Sequence, residues 1–515
     1  MLNDFTNEPF VNFSVQANRE AMEKAITAAE QAVAFDYPLV INGESIFTEN
    51  KISSLNPSRI EQVVGRIAAG DQELAEKAMQ AALDAFDSWS RLAPEERARY
   101  LFKAAAIIRR RKFALAAAMI LEVGKNWAEA DADVAEAIDF LEFYGREALR
   151  LAERQPLTRL VGEDNELYYI PLGVGVIISP WNFPLAILAG MAAGPLVMGN
   201  TVIMKPASNA PVIASKFMEI MQEAGLPPGV MNLLPGSGAA VGDYLVRHPK
   251  TRFINFTGSR EVGLKIAEQG GKISAGQIWI KRVSAEMGGK DAIIVDREAD
   301  LEAAVDGIIT SAFGFQGQKC SACSRAIIDK AVYDQVAEGV VARTKQIVVG
   351  PVKDFGNYLG PVIDQAAMDK ILGYIKIGKQ EGKLLCGGNR AREDGYFVEP
   401  TVFGAVSPKA RIAREEIFGP VLALIKAEHF DEALLIANDT EYGLTGAVYS
   451  GNRAKLEQAR REFFVGNLYF NRKCTGAMVG AQPFGGYNMS GTCAKAGGRD
   501  YLLLFSQAKL VAEKM

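Results

Sequence analysis

Residues 167–208 read LYYIPLGVGVIISPWNFPLAILAGMAAGPLVMGNTVIMKPAS. From Leu167 to Met204 no residue is charged, and the way this run divides decides the fold. A membrane-spanning helix takes about 20 predominantly apolar residues, so length alone would permit one. Pro171, Pro180, Pro184 and Pro195, with Asn200, cut the run into pieces too short to cross. VGVIIS (174–179) and NTVIM (200–204) are β-branched and of strand length, and the apolar piece between them has the length of a helix. Strands without polar alternation belong inside a parallel sheet covered on both faces. The run therefore reads as a buried strand–helix–strand unit and not as a membrane span.

The same rhythm continues outward. VMNLLPG (230–236) and RFINFTGS (252–259) are short apolar runs ending in turn residues, with helical patterns between them. This makes a doubly wound, Rossmann-like half. A second α/β series starts at Asp291, with AIIVD (292–296), RAIID (325–329) and VLALIK (421–426) as strands. Two α/β domains with a cleft between them follow. The part before the run is helical: Ala75, Met79, Ala82, Phe86 and Trp89 share one helical face, and Pro94-Glu95-Glu96 opens a second helix. The basic cluster Arg109 to Lys112 reads as a solvated helix end. Two stretches fit neither series. RLVGEDNELYYI (159–170) reads as a hairpin arm, and LLLFSQAKLVAEKM (502–515) as an added strand. Exposed strands of this kind commonly pair with another subunit, so a homo-oligomer is expected; the alternative is that they pack on their own domain.

The totals agree with a cytoplasmic enzyme. A chain of 515 residues is too long for one core, and 49% hydrophobic with 23% charged residues is ordinary for a soluble protein. A net charge of -4 leaves no basic excess for nucleic acid. The start, MLNDFTNEPF, has neither a secretion nor a transit pattern. Five scattered cysteines suit a reducing compartment rather than a disulfide framework, and no metal-ligand spacing is present.

FGFQGQKCSAC (313–323) raises the functional question, because Cys320 is a core filler, half of a C-x-x-C pair with Cys323, or a nucleophile. A nucleophilic cysteine needs a base or an electropositive setting. The chain has only two histidines, His248 and His429, both at loop positions, which argues against a Cys–His pair. Glu286 follows a strand-like run and precedes Gly288-Gly289, which puts it at a strand end where doubly wound folds bind ligands. Asn182, held between Pro180 and Pro184, offers amide donors to an oxyanion. Lys205 ends the next strand, and Gly258, Ser259 and Gly263 open a helix suited to phosphate. Each has an ordinary structural alternative: a strand-end carboxylate, a turn asparagine, a helix cap.

Taken together, PWNFP, KPAS, FTGS, EMGGK, GQKC, EEIFGP and PFGG, in this order, resemble the aldehyde dehydrogenase superfamily over nearly the whole chain. The section GNLYFNRKCTGAMVGAQPFGGYNMSGT (466–492) is similar to its 1-pyrroline-5-carboxylate dehydrogenase branch, in the monofunctional form. That resemblance implies oxidation of glutamate 5-semialdehyde to glutamate in proline and arginine catabolism. Cys320 then matches the nucleophile, Glu286 the general base, and Asn182 with the Cys320 N–H the oxyanion hole. Ser179, Trp181, Lys205, Ser208, Gly258, Ser259, Gly263, Glu416 and Phe418 fall at NAD-binding positions. Phe183, Phe315, Ser321, Gly476, Ala477 and Phe484 fall at substrate positions, with the Thr475–Ala477 turn as the carboxylate anchor. Ser208 stands where many NAD-dependent relatives carry a glutamate, so NADP tolerance is expected beside NAD.

The resemblance also divides the chain into a cofactor domain (1–153 and 172–288), a catalytic domain (289–488) and an oligomerisation arm (154–171 and 489–515). The alternatives are a dehydrogenase of another semialdehyde, such as succinate semialdehyde, and a catalytically silent redox or structural protein on the same fold. A helix beginning near Cys320 would favour its thiolate and bring Cys323 alongside as a resolving thiol. The competing reading makes Cys323 a small core residue pointing away.

Overall fold

The uncharged run folds as its punctuation demands. Val174–Ile178 and Thr201–Lys205 are neighbouring parallel strands, and Ala186–Val197 is the helix between them. The structure is a computed structural model describing residues 3–515. Asn200 does more than break the run. Its buried amide accepts from the N–H groups of Leu172 (2.8 Å) and Gly173 (3.0 Å) and donates to the carbonyls of Pro195 (3.0 Å) and Phe505 (2.9 Å). One side chain thus joins the strand entry, the helix end and a segment near the C-terminus. Among the described residues no helix is long and apolar enough to cross a membrane.

The first seven-stranded sheet runs Arg282–Glu286, Phe253–Thr257, Val174–Ile178, Thr201–Lys205, Met231–Leu233, Leu39–Ile41, Glu44–Ile46. The first five are mutually parallel, and the last two add as antiparallel edge strands. From Val174–Ile178 the chain winds outward one way, then returns to the other side through Phe253–Thr257. The order reverses between these two strands, and such a switch point opens a crevice at the strands' C-terminal ends. PWNFP and FTGS leave from those ends.

The second seven-stranded sheet runs Lys383–Cys386, Thr401–Gly404, Val421–Ala427, Cys323–Asp329, Asp291–Val295, Thr445–Tyr449, Asn467–Phe470, with only Lys383–Cys386 antiparallel. The expected mixed α/β architecture is therefore present.

The arm differs in detail from expectation. RLVGEDNELYYI does not fold back on itself. Glu163–Pro171 pairs antiparallel with Ser506–Lys514, in register from Pro171 opposite Ser506 to Glu163 opposite Lys514. A strand facing solvent finds its backbone partners in whichever extended segment lies beside it, and here that segment is remote in sequence. Of the basic cluster, Arg109 pairs with Glu8 (2.8 Å) and Glu142 (3.3 Å), Arg111 with Glu223, and Lys112 with Asp131 (3.1 Å). These are ties between helices and the N-terminal segment.

Candidate active site

The segment before Cys320 is bent sharply. Phe315 (φ 48°), Gln316 (φ 57°) and Gly317 (φ 67°) are successive left-handed residues. Each non-glycine residue in that region costs about 1–2 kcal/mol, so something must hold the turn. Gln316 does: its buried amide donates to the carbonyls of Gly124 (2.9 Å) and Pro361 (2.8 Å). Gln318 accepts from the N–H of Ile363 at 2.9 Å. At Gly317 a side chain would overlap the carbonyl of Gly419. The glutamines and glycine of FGFQGQKC are thus the scaffold that presents Cys320, which is half-buried in the turn before Cys323–Asp329.

No helix begins at Cys320, which corrects the expectation of a helix-favoured thiolate. Burial, followed by the carboxylates of Asp291, Glu416 and Glu286, pushes the Cys320 thiol well above its ordinary range. Its surroundings favour the protonated thiol. Cys323 starts the strand, is 1% exposed, and packs in a core that includes Cys474. Its thiol contacts Cys474 and the carbonyl of Arg325. The core reading of Cys323 therefore holds, because its side chain is packed against Cys474 in that core. Neither histidine touches Cys320: His248 contacts Glu76 at 3.0 Å, and His429 caps its own helix.

Three strand ends converge on the cysteine. Asn182, 4% exposed, donates from Nδ2 to the carbonyl of Gln318 at 3.1 Å, two residues from Cys320. Glu286 ends its strand, and its carboxylate accepts from the N–H groups of Ala494 (2.9 Å) and Gly486 (3.3 Å). Burial pushes its pKa up to about 8, against the lowering by those two donors and by Lys495. Ser321 is buried, and its carbonyl accepts from the Cys474 thiol at 3.4 Å. Cys474 immediately precedes Thr475–Ala477, so the Cys320 turn and that loop are tied. Gly476 sits at φ 76° with Lys473 beside it.

An aromatic wall flanks this point. Phe183 and Phe315 meet edge-on at 6.3 Å, and Trp181 meets Phe315 at 6.3 Å and Phe418 at 5.7 Å. Phe484 is half-buried and bridges to Ala496.

On the other side of the switch point lie the expected cofactor residues. Lys205 is 7% exposed, and burial lowers its pKa to about 8. Its ammonium has a carbonyl, that of Pro206, at 3.4 Å, and its stem passes Gly242, where a Cβ would come within 3.6 Å. Ser179 is buried beside it, its N–H donating to the Lys205 carbonyl at 3.4 Å. Ser259 caps the helix Arg260–Gly270, its Oγ accepting from Val262 N–H at 3.4 Å. Gly258 packs on the Phe256 ring and Gly263 on Met287, so a larger residue at either would lift the helix away. Glu416 accepts from Gly289 N–H at 3.1 Å, and a side chain at Gly288 would overlap its carboxylate. Burial raises the Glu416 pKa. Ser208 is exposed. A recessed lysine, a helix N-terminus and a half-buried carboxylate are groups suited to a dinucleotide's hydroxyls and pyrophosphate.

Sequence reasoning missed a charged cluster on the long helix Trp127–Ala152. Lys125 and Asp133, both fully buried, pair at 2.9 Å, and Lys319 pairs with Glu129 at 2.7 Å. The Lys125 ammonium lies 3.8 Å from the Phe183 ring centroid and 4.6 Å from that of Phe315. Asp133 also accepts from Ala186 N–H at 2.6 Å, anchoring the helix after PWNFP. Glu136 is pushed up to about 8 by burial and by Asp133. The signal was present: Glu129, Asp133 and Glu136 are spaced four and three apart, one face of a helix.

A half-buried cysteine with an amide donor and a strand-end carboxylate near it, in a doubly wound α/β fold, marks the chain as an oxidoreductase. The chain matches the aldehyde dehydrogenase family over residues 46–511 and belongs to that family. It is 61% identical to the 1-pyrroline-5-carboxylate dehydrogenase of Geobacillus kaustophilus (strain HTA426), over 100% of both chains. The structure of 1-pyrroline-5-carboxylate dehydrogenase from Thermus with bound NAD superposes with a TM-score of 0.98 at 54% identity, covering 100% of each chain. Proline utilization A from Bdellovibrio bacteriovorus also gives 0.98, at 46% identity, over 99% of this chain and 53% of that one.

Proposed function

We propose that this protein oxidises L-glutamate 5-semialdehyde, the open form of 1-pyrroline-5-carboxylate, to L-glutamate with NAD. The observation carrying this reading is that Asn182 bonds the Gln318 carbonyl two residues before Cys320 and the Glu286 carboxylate lies near enough to act on the Cys320 thiol, with Ser321 tied through Cys474 to the Thr475–Ala477 loop. Full-length likeness to 1-pyrroline-5-carboxylate dehydrogenases supports the substrate. So does the surrounding charge. Lys125, Lys319 and Lys473 alternate with Glu129, Asp133 and Glu136, which suits a substrate carrying both an ammonium and a carboxylate.

In this reading Lys205, Ser259 and Glu416 hold the dinucleotide, with Ser179, Trp181, Gly258, Gly263 and Phe418 shaping the crevice. Phe183, Phe315 and Phe484 enclose the aliphatic middle of the substrate. The Thr475–Ala477 turn offers backbone N–H groups to its carboxylate, with Ser321 adding a hydroxyl.

The Cys320 sulfur, on losing its proton, attacks the aldehyde carbon. The Asn182 amide and the Cys320 N–H donate to the oxygen that becomes negative, and each such donor is worth about 3 kcal/mol. NAD, when bound, supplies a hydride acceptor for the carbon now attached to sulfur. Cys320 is left as a thioester, and Glu286 takes a proton from the water that hydrolyses it.

We read residues 1–153 with 172–288 as the cofactor domain and 289–488 as the catalytic domain. The paired arm strands are the surface on which copies of the chain assemble, and the protein works in the cytoplasm. The test is NADH formation from glutamate semialdehyde and from succinate semialdehyde, with and without coenzyme A, for wild type and Cys320→Ala. Turnover of glutamate semialdehyde without coenzyme A, lost in Cys320→Ala, is the expected result. Undiminished turnover by Cys320→Ala ends the reading.

A further inference from the structure

The general-base reading of Glu286 leaves open what holds its carboxylate in place, and the structure points to a residue outside the cysteine pocket. The two N–H groups that bond Glu286 belong to separate segments. Gly486 lies in the turn PFGG, and Ala494 in the strap from Ser490 to Lys495. The strap zips onto the end of the Glu286 strand: Thr492 N–H donates to the Ala285 carbonyl (2.8 Å), and Met287 N–H to the Ser490 carbonyl (2.8 Å). The near end of the PFGG turn is bridged to the residue after the strap, where Phe484 and Ala496 exchange N–H···O=C bonds of 2.8 Å each way, but Gly485 and Gly486 lie beyond that bridge.

Lys495 follows Ala494 directly, and its ammonium donates to the carbonyls of Gly466 (2.6 Å) and Gly485 (3.1 Å) and to Asn467 Oδ1 (3.3 Å). Asn467 in turn accepts from Gly485 N–H (3.3 Å) and donates to the Pro483 carbonyl (2.9 Å). Both Cys493 (φ 55°) and Lys495 (φ 54°) are left-handed non-glycine residues, a conformation kept only where surrounding contacts over-determine it.

We propose that Lys495 is a positioning residue for Glu286: its ammonium fastens the Gly485–Gly486 end of the PFGG turn to the strap and thereby keeps both backbone donors on the carboxylate. The ammonium is bonded to neutral oxygens, so its charge stays uncompensated by a salt bridge and acts on the carboxylate as well. The titratable groups that feel or face Glu286 are Cys320, Cys493, Lys495 and Tyr501, and Lys495 is the cation among them. Removing it loosens one or both donors and favours the protonated carboxyl.

The inference rests on Glu286 as the base of thioester hydrolysis, so the experiment separates the two. Wild type, Lys495→Met and Glu286→Gln are compared in rapid-mixing assays with NAD and glutamate semialdehyde, across pH. Lys495→Met is expected to keep the first-turnover burst of NADH, to lose about tenfold or more in steady-state rate, and to shift the steady-state pH midpoint upward. Lys495→Ala should regain rate saturably with added ethylammonium, which also serves if Lys495→Met does not fold. A folded Lys495→Met with the wild-type burst ratio and midpoint overturns the inference if Glu286→Gln is defective. A rate for Lys495→Ala indifferent to ethylammonium overturns it likewise. Normal steady-state turnover by Glu286→Gln overturns the reading of the base itself.

Discussion

Glu286 should make thioester hydrolysis strongly pH-dependent near neutrality. Its folded pKa is about 8, because burial outweighs the N–H groups of Ala494 and Gly486 and the charge of Lys495. Only the ionised carboxylate accepts a proton from water. With that pKa, about one-tenth of the molecules carry it at pH 7, about half at pH 8 and about nine-tenths at pH 9. Where hydrolysis limits turnover, kcat should rise about tenfold from pH 7 to pH 9. The assay is steady-state NADH production at saturating substrate, read beside the burst amplitude. Glu286→Gln should keep the burst and flatten the rise. Stability runs in the opposite sense. A carboxyl raised from 4.5 to about 8 in the fold contributes stability that is fully present below 4.5 and is lost as pH rises through about 8. Glu286→Gln should therefore melt higher relative to wild type at pH 9 than at pH 5. A kcat that is flat or falling from pH 7 to pH 9, or one that still rises in Glu286→Gln, would refute the reasoning.

Three further outcomes are expected. Ala477→Asp places a negative charge beside the turn at Gly476 and should raise KM for glutamate semialdehyde far more than for a short uncharged aldehyde; equal effects would remove the anchor. Ser208 is exposed and uncharged, so NADP should serve as well as NAD to within about a thousandfold, roughly 4 kcal/mol, in kcat/KM. Stronger discrimination would show that another group repels the extra phosphate. Gly288→Ala should push Glu416 off Gly289 N–H and raise KM for NAD about tenfold, which is about 1.4 kcal/mol. A normal KM would place Glu416 outside the cofactor crevice.

Much of the architecture was legible because it follows from local rules. A run such as VGVIISPWNFP can be a buried parallel strand and a rigid turn but not a membrane helix, since each proline lacks the N–H that an earlier helix carbonyl needs and a bilayer offers no substitute donor. Strand and helix alternation then implies the doubly wound order, and the order implies where a crevice opens. Glu286, Asn182, Lys205 and Ser259 were readable as candidates because each directly follows or ends a strand in that order. Only the tertiary structure decided what surrounds them. Whether the Cys320 thiol rests protonated depends on carboxylates 29 to 96 residues away in sequence, at Asp291, Glu286 and Glu416. Cys323 was ambiguous because a three-residue spacing means adjacency on a helix and opposition around a turn into a strand. The burial that lifts Glu286, the Lys495 staple beneath it and the Lys125–Asp133 pair behind Phe183 all join segments distant in the chain. Desolvation and charge act through space, and no local pattern of residues records those distances.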